Sequence, residues 1–213
     1  MKIKTLILFF FSIYGISQEY RKLTIRGKVL ASLLLEDDNT YTGTGGLEYE
    51  FIKNHSIGAD FIYIGNRKEF DTFEDENTGI YKTTKSFIYL VDYRYYIKPS
   101  FLKETNSTFY VSAYYKNISK DFKNDPGVKL LKNDRTWGNY KYTDLGTALG
   151  FRFSFNPDND NFGLDTNLGI SYRVKNENYI LHIDENTPNK IIENEKSNQW
   201  LPSIRVNLYY KFW

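Results

Sequence analysis

The feature that most limits what this chain can fold into is an apolar residue at every second position, recurring in eight separate runs. Charged or small polar residues fill most of the places between, although Ile62 and Ile64 blur the polar face of the third run. Period two belongs to a strand with one apolar and one polar face, whereas helix faces repeat every 3.6 residues. The first four apolar faces are Leu23, Ile25, Val29, Ala31 and Leu33; Tyr41, Leu47, Tyr49 and Phe51; Ile57, Ala59, Phe61 and Tyr63; and Phe87, Tyr89, Val91, Tyr93, Tyr95 and Ile97. The second four are Phe109, Val111, Ala113 and Tyr115; Leu145, Leu149, Phe151, Phe153 and Phe155; Phe162, Leu164, Leu168, Ile170, Tyr172 and Val174; and Ile204, Val206, Leu208, Tyr210 and Phe212. Most runs exceed the ~5–6 residues usual in soluble sheets and approach the ~9–11 of a tilted strand that crosses a bilayer.

The opposite faces decide which way the sheet is turned. They carry Arg26, Lys28, Arg94, Lys116, Arg152, Arg173, Arg205 and Lys211 against Glu48, Glu50, Asp60, Asp92, Asp144 and Asp165. Packed into a narrow lumen, these charges have to pair, and the two sets nearly balance. A soluble eight-stranded barrel of lipocalin type would place the apolar face inside instead. Tyr49, Phe51, Tyr93, Tyr95, Phe151, Phe153 and Phe155 would then overfill it. The pattern therefore predicts an all-β fold, a closed antiparallel up-and-down transmembrane barrel of eight strands with a charge network in its lumen. Gly46, Gly58, Gly146, Gly150 and Gly169 fall on the inward face and leave some room there.

The connections alternate in length. Short links are expected at Lys53-Asn54-His55, from Lys98 to Asn106 and from Asn156 to Asn161; long polar ones at Arg67–Lys82, Ser119–Tyr140 and Asn176–Gln199. Only one link at the long end, around Glu36-Asp37-Asp38-Asn39, is short. Short turns at one end and long loops at the other are the asymmetry of membrane barrels. Pro99, Pro126, Pro157 and Pro188 sit in links, and Pro202 opens the last run, so no proline is expected inside a ladder.

Composition agrees. Aromatics are 18% of the chain, with one Met and no Cys, which favours strands and interfaces and removes disulfides, thiolate metal sites and cysteine nucleophiles. A net charge of +2 argues against nucleic acid as a partner. Lys2 and Lys4 precede the apolar run Leu6 to Tyr14, then Gly15-Ile16-Ser17, which reads as a signal peptide over residues 1–17 and a barrel domain over 18–213. That run is shorter than the ~20 residues of a spanning helix.

The segment Gly45-Gly46-Leu47-Glu48-Tyr49-Glu50-Phe51, then Asp92-Tyr93-Arg94-Tyr95-Tyr96 with a proline turn and Phe109-Tyr110-Val111, resembles small outer-membrane barrels of unknown function from Bacteroidota. More distantly, the chain from Gln18 to Trp213 is similar to OmpA-like and OmpX-like eight-stranded barrels. The resemblance implies an outer-membrane location, with membrane lipid and the barrel-assembly machinery as partners. It implies no chemistry.

Catalytic constellations are sparse. His55 falls in a short turn, and His182 has Asp184 nearby to orient it but no marked Ser nucleophile. The acidic stretch Asn66 to Gly79, with Glu69, Asp71, Glu74, Asp75 and Glu76, lacks cation-loop spacing and reads as a solvated loop. The glycines of Gly43-Thr44-Gly45-Gly46 lie in a strand and precede no helix, so they do not mark a phosphate loop. No cofactor and no enzyme activity are expected. The leading reading is a structural or interaction protein with a side-chain-plugged lumen that presents surface loops. A narrow pore for ions or small solutes is the alternative, and a loop-based hydrolase of lipid or peptide comes third.

Leu208, Tyr210 and Phe212 resemble the terminal strand by which outer-membrane barrels are recognised for insertion. Phe212→Ala is expected to accumulate unassembled in the periplasm while Trp213→Ala largely assembles. Protease shaving of intact cells measures both fractions, and normal assembly of Phe212→Ala would remove the signal role.

Overall fold

The structure, a computed structural model, describes residues 22–28, 41–70, 81–102, 105–124, 135–156, 159–183 and 188–212. The alternating runs form β1 (Lys22–Lys28), β2 (Tyr41–Ile52), β3 (His55–Phe70), β4 (Tyr81–Ile97), β5 (Thr108–Asn124), β6 (Arg135–Ser154), β7 (Phe162–Leu181) and β8 (Lys190–Phe212). Each strand pairs antiparallel with the next. β1 also pairs with β8, from Leu23 opposite Phe212 to Lys28 opposite Asn207, so the sheet closes on itself as a barrel.

One end carries the tight connections. Asn54, in the turn between β2 and β3, adopts φ 68°, a left-handed conformation that asparagine tolerates. The backbone N–H of Tyr96 donates to its carbonyl at 2.7 Å. A 3-10 turn, Ser100–Leu102, joins β4 to β5. Between β6 and β7, the Ser154 hydroxyl bonds the carbonyls of Asn156 at 3.0 Å and Asn159 at 2.7 Å. The link around Glu36–Asn39, the side chains of the acidic stretch Asn66 to Gly79 and the N-terminal segment 1–17 lie outside the described residues, as does Trp213.

Residue parity controls the environment along every strand. On β4, Phe87, Tyr89, Val91, Tyr93, Tyr95 and Ile97 are exposed, whereas Leu90, Asp92, Arg94 and Tyr96 between them are buried. The outward apolar band ends abruptly. On β8 it runs from Phe212 to Trp200 and gives way to Asn198 and Lys196; on β5 it runs from Phe109 to Tyr115 and gives way to Asn117, Ser119, Asp121 and Lys123.

Past that boundary the chain departs from the sequence expectation. The expected links Arg67–Lys82, Ser119–Tyr140 and Asn176–Gln199 are shorter than that: β3 continues to Phe70 and β4 starts at Tyr81, β5 continues to Asn124 and β6 starts at Arg135, and β7 ends at Leu181 and β8 starts at Lys190. The alternation persists there with a mixed polarity. Phe122, Tyr140 and Tyr179 pack together on the inner face with Tyr142, Leu181 and Ile192 against them, beside the Arg135–Glu177 pair, while the outward face carries Asp121 and Lys123 on β5 together with exposed Trp137 and Ile191. A bulge absorbs one mismatch in this extension, where the pairing shifts between Glu177 and Tyr179 and Asn194 takes φ 55°. Pro202 does not open a strand either, since it lies within β8 opposite Ile170. Among the described residues this stretch of β8 pairs with β7 alone, the edge-like setting in which a strand accepts proline.

The inward glycines do not leave open space. Register places Tyr110 opposite Gly150, Tyr114 opposite Gly146 and Phe122 opposite Gly138. In each case a Cβ on the glycine would overlap the facing ring. Glycine on β6 is thus the seat on which a β5 ring lies flat. Gly46 and Gly58 are likewise filled over, by Asp60 and by Arg26 with Asp92.

Gly150→Ala is therefore expected to destabilise the barrel by about 1–3 kcal/mol through overpacking. Gly45→Ala, whose Cβ would meet nothing within 4 Å, is expected to be neutral or slightly stabilising. Urea unfolding of detergent-solubilised protein distinguishes the two, and equal effects would refute the ring-on-glycine packing.

Candidate functional site

The most concentrated chemistry in the molecule lies inside the barrel, where inward parity on successive strands brings charged side chains to one level. Arg26 comes from β1, Glu48 from β2, Asp60 from β3, Asp92 and Arg94 from β4, Arg152 from β6, Asp165 from β7 and Arg205 from β8. All are buried, with Arg94 and Asp165 at 0% exposure. Strand β5 contributes Tyr110, so every strand takes part.

The charges form one connected set. Arg26 contacts Asp60 at 2.8 Å, Asp92 at 3.1 Å and Glu48 at 3.5 Å. Arg94 reaches Asp165 at 2.5 Å, Asp92 at 2.8 Å and Glu48 at 3.2 Å. Arg152 bridges Glu48 at 2.7 Å and Asp165 at 3.0 Å. Arg205 meets Asp92 at 3.5 Å and donates to Asn167 Oδ1 at 2.8 Å. Each carboxylate is shared by at least two cations, as acceptor-rich groups in a dry interior must be.

Tyrosines complete the site, and the alternation alone did not point to them. Arg94 lies 4.6 Å from the Tyr110 ring centre, Arg205 4.5 Å from Tyr114, and Arg152 4.6 Å from Tyr209 and 5.0 Å from Tyr96. Arginine above an aromatic face in a desolvated setting gains cation–π attraction. The hydroxyl of Tyr96 donates to Glu48 at 2.5 Å, and that of Tyr110 donates to Asp165 and accepts from Asn167 Nδ2 at 2.9 Å. The available signal was a tyrosine at inward parity facing a glycine on the neighbouring strand, which requires the register to be known.

Other predicted positions are placed differently. Lys116 and Arg173 join Asp144 in a separate group, at 3.2 Å and 2.7 Å, nearer the loop end. Lys28 reaches Asp60 at 3.5 Å. Glu50 does not enter the network: it sits by the tight turn, where its Oε1 accepts from the Asn54 backbone N–H at 3.0 Å. One residue pair further along β2 toward the turn, an inward side chain has reached the barrel mouth. Lys211 also lies at this end and pairs with Asp160 at 2.5 Å. His55 Nδ1 is 2.5 Å from the Tyr93 hydroxyl, among the rings of Phe51, Tyr93 and Tyr95. His182 Nδ1 lies 3.2 Å from Asn189 Oδ1, and Asp184 lies outside the described residues. Leu208, Tyr210 and Phe212 all face outward on β8, with the last two rings 4.9 Å apart.

Chemically, guanidinium groups held by carboxylates and tyrosine faces tie the strands together across the lumen. Among the described residues they offer no nucleophile with an adjacent base.

Two solved structures are similar to this chain at low identity. Neisserial surface protein A matches at 12% identity and TM-score 0.40, over 91% of this chain and 96% of that one. A major outer membrane protein from Thermus thermophilus matches at 14% identity and TM-score 0.45, over 90% and 99%. No family model and no curated protein sequence matches the chain.

Removing one member of a buried ion pair leaves its partner charged and unmatched, at a cost of about 3–5 kcal/mol. Asp165→Ala, which removes the carboxylate that Arg94 and Arg152 share and leaves the buried cations in excess, is expected to fall in that range by urea unfolding in micelles. Glu50→Ala at the mouth is expected to cost less than ~1 kcal/mol. Comparable losses would mean that the interior set does not act as a unit.

Proposed function

We propose that the protein is an outer-membrane β-barrel whose lumen is plugged by its own side chains, and that it serves as a structural or interaction protein presenting its loop end at the cell surface. The observation that carries this reading is the ionic set at mid-barrel, to which all eight strands contribute a charge or a hydrogen-bonded tyrosine. An eight-stranded barrel is just wide enough for side chains to fill, and here the fillers are charged while the exterior is apolar. That arrangement is backwards for water and correct for lipid.

The dimensions support the same reading. On β4 and β8 the outward apolar stretch covers roughly ten to twelve residues, which at about 3.3 Å each and a tilt near 40° spans roughly 25–30 Å, close to the ~25 Å lipid-facing band of such barrels. Aromatics gather at both limits: Phe109, Phe153, Phe155, Phe162 and Phe212 by the turns, Trp200 with Tyr172 at 5.2 Å at the far side. The upper ends of the strands then project beyond the bilayer, with Asn117, Ser119, Asp121 and Lys123 outside on β5. In this reading residues 1–17 are a cleaved signal peptide, residues 18–213 are the barrel, Leu208, Tyr210 and Phe212 address the chain to the barrel-assembly machinery, and the protein is not an enzyme.

Planar-bilayer recording tests the plug. The refolded wild type is expected to give no large steady conductance, and the Glu48→Ala, Arg94→Ala double variant is expected to give a measurable one. A large steady current through the wild type would establish a pore instead. Monodisperse, folded protein in plain buffer would overturn the membrane placement itself.

A further inference from the structure

Toward the loop end of the ionic set, the interior opens into a cavity of about 330 Å³. Lys28, Lys116, Arg173 and Arg205 line it, with Asp144 as the one carboxylate on its wall among the described residues. Its apolar lining includes Leu90 from the inner face and Ile204 and Val206 of β8.

Two independent features mark this cavity as a site. The first is charge. In the ionic set and its neighbouring group, the cations Arg26, Lys28, Arg94, Lys116, Arg152, Arg173 and Arg205 face the carboxylates of Glu48, Asp60, Asp92, Asp144 and Asp165, which leaves two positive charges unmatched. The surplus is not spread evenly. Glu48, Asp92 and Asp165 are taken up by the arginines at mid-barrel, whereas the cavity wall has four cations to one carboxylate.

The second feature is unmet hydrogen bonding. Arg205 is 8% exposed and Asn207 0%, yet Arg205 Nη2 and both polar atoms of the Asn207 amide have no hydrogen-bond partner among the described residues. Both residues line the cavity. Buried polar atoms left unpaired are costly, and the two donors among them, Arg205 Nη2 and Asn207 Nδ2, beside surplus positive charge are matched by a multivalent acceptor.

We propose that this cavity binds a phosphate-type oxyanion. A phosphate dianion neutralises the two spare charges, and its oxygens accept from Arg205 Nη2, the Lys28 and Lys116 ammonium groups and the Asn207 amide. Lysine and arginine around one anion is the usual chemistry of phosphate capture. The same group arrives either free, as inorganic phosphate or a small ester, or as the headgroup of an acidic lipid whose tails lie along Ile204 and Val206. This site goes beyond the plugged-barrel reading and does not need it, because binding is measured without reference to conductance.

The test is isothermal titration of the folded barrel in non-ionic detergent with inorganic phosphate and, separately, with short-chain phosphatidic acid, using phosphatidylcholine of the same chain length as the control for tails. Saturable binding of one equivalent is expected, weakened at least tenfold in Lys28→Gln, Lys116→Gln. That variant leaves Asp60 with Arg26 and Asp144 with Arg173, and its fold is checked by heat-dependent gel migration. Asn207→Ala, which breaks no ion pair, is expected to weaken binding several-fold and serves if the double variant fails to fold. Binding of inorganic phosphate identifies a free ligand; binding of phosphatidic acid alone identifies a lipid headgroup. No saturable binding of either, or unchanged affinity in the folded variants, overturns the proposal.

Discussion

Everything in this barrel depends on the need to match buried charge. Closing eight strands turns one face of every strand inward, and this chain sets arginines and carboxylates there at mid-barrel. Such a filling contributes little net stability compared with a well-packed apolar one, because each ion gives up its hydration. Its value is positional. A guanidinium has a fixed fork of donors, and Arg26, Arg94 and Arg152 each engage two or three carboxylates drawn from different strands. A one-residue slip of any strand would swing these groups outward and bring apolar residues in. The network thus specifies register more strongly than the backbone ladder could.

The same strands obey two opposite solvation rules along their length. Over the lower part, charge is inside and Phe, Tyr, Val and Leu are outside; toward the loop end Phe122, Tyr140 and Tyr179 are inside beside Arg135 and Glu177, and Asn117, Ser119, Asp121 and Lys123 are outside on β5. Neither rule changes the backbone, which continues as pleated sheet across the boundary. What changes is which face the surroundings reward. The switch between Tyr115 and Asn117 on β5, and between Trp200 and Asn198 on β8, marks a boundary between two media.

This reversal explains what could be read from the sequence and what could not. The lower strands are legible because charged residues recur at one parity and large apolar residues at the other, so parity alone assigns Arg26, Asp92, Arg152 and Asp165 to the interior. The upper strands are not: with Phe122 and Tyr179 isolated among polar residues, the stretches around them resemble loops unless the inward face is followed through the change of sign. Glu50 shared inward parity with Glu48 yet fell at the mouth, since parity gives a direction and not a depth. Tyr110 and Tyr114 were hidden for another reason. Their fit depends on Gly150 and Gly146 across the ladder, and pairing between strands tens of residues apart is not encoded in either strand by itself.

The ion pairs also have an order in time. Arg152 and Glu48 are separated by 104 residues, Arg205 and Asp92 by 113, and Arg94 and Asp165 by 71. Contacts so distant along the chain form only after most of the loop-closure entropy has been lost. A half-closed sheet therefore carries arginines and carboxylates whose partners do not arrive until the last strand docks. Because β1 meets β8 only at closure, the network completes in one cooperative step, so that the barrel is either open and charged or shut and neutralised at its centre.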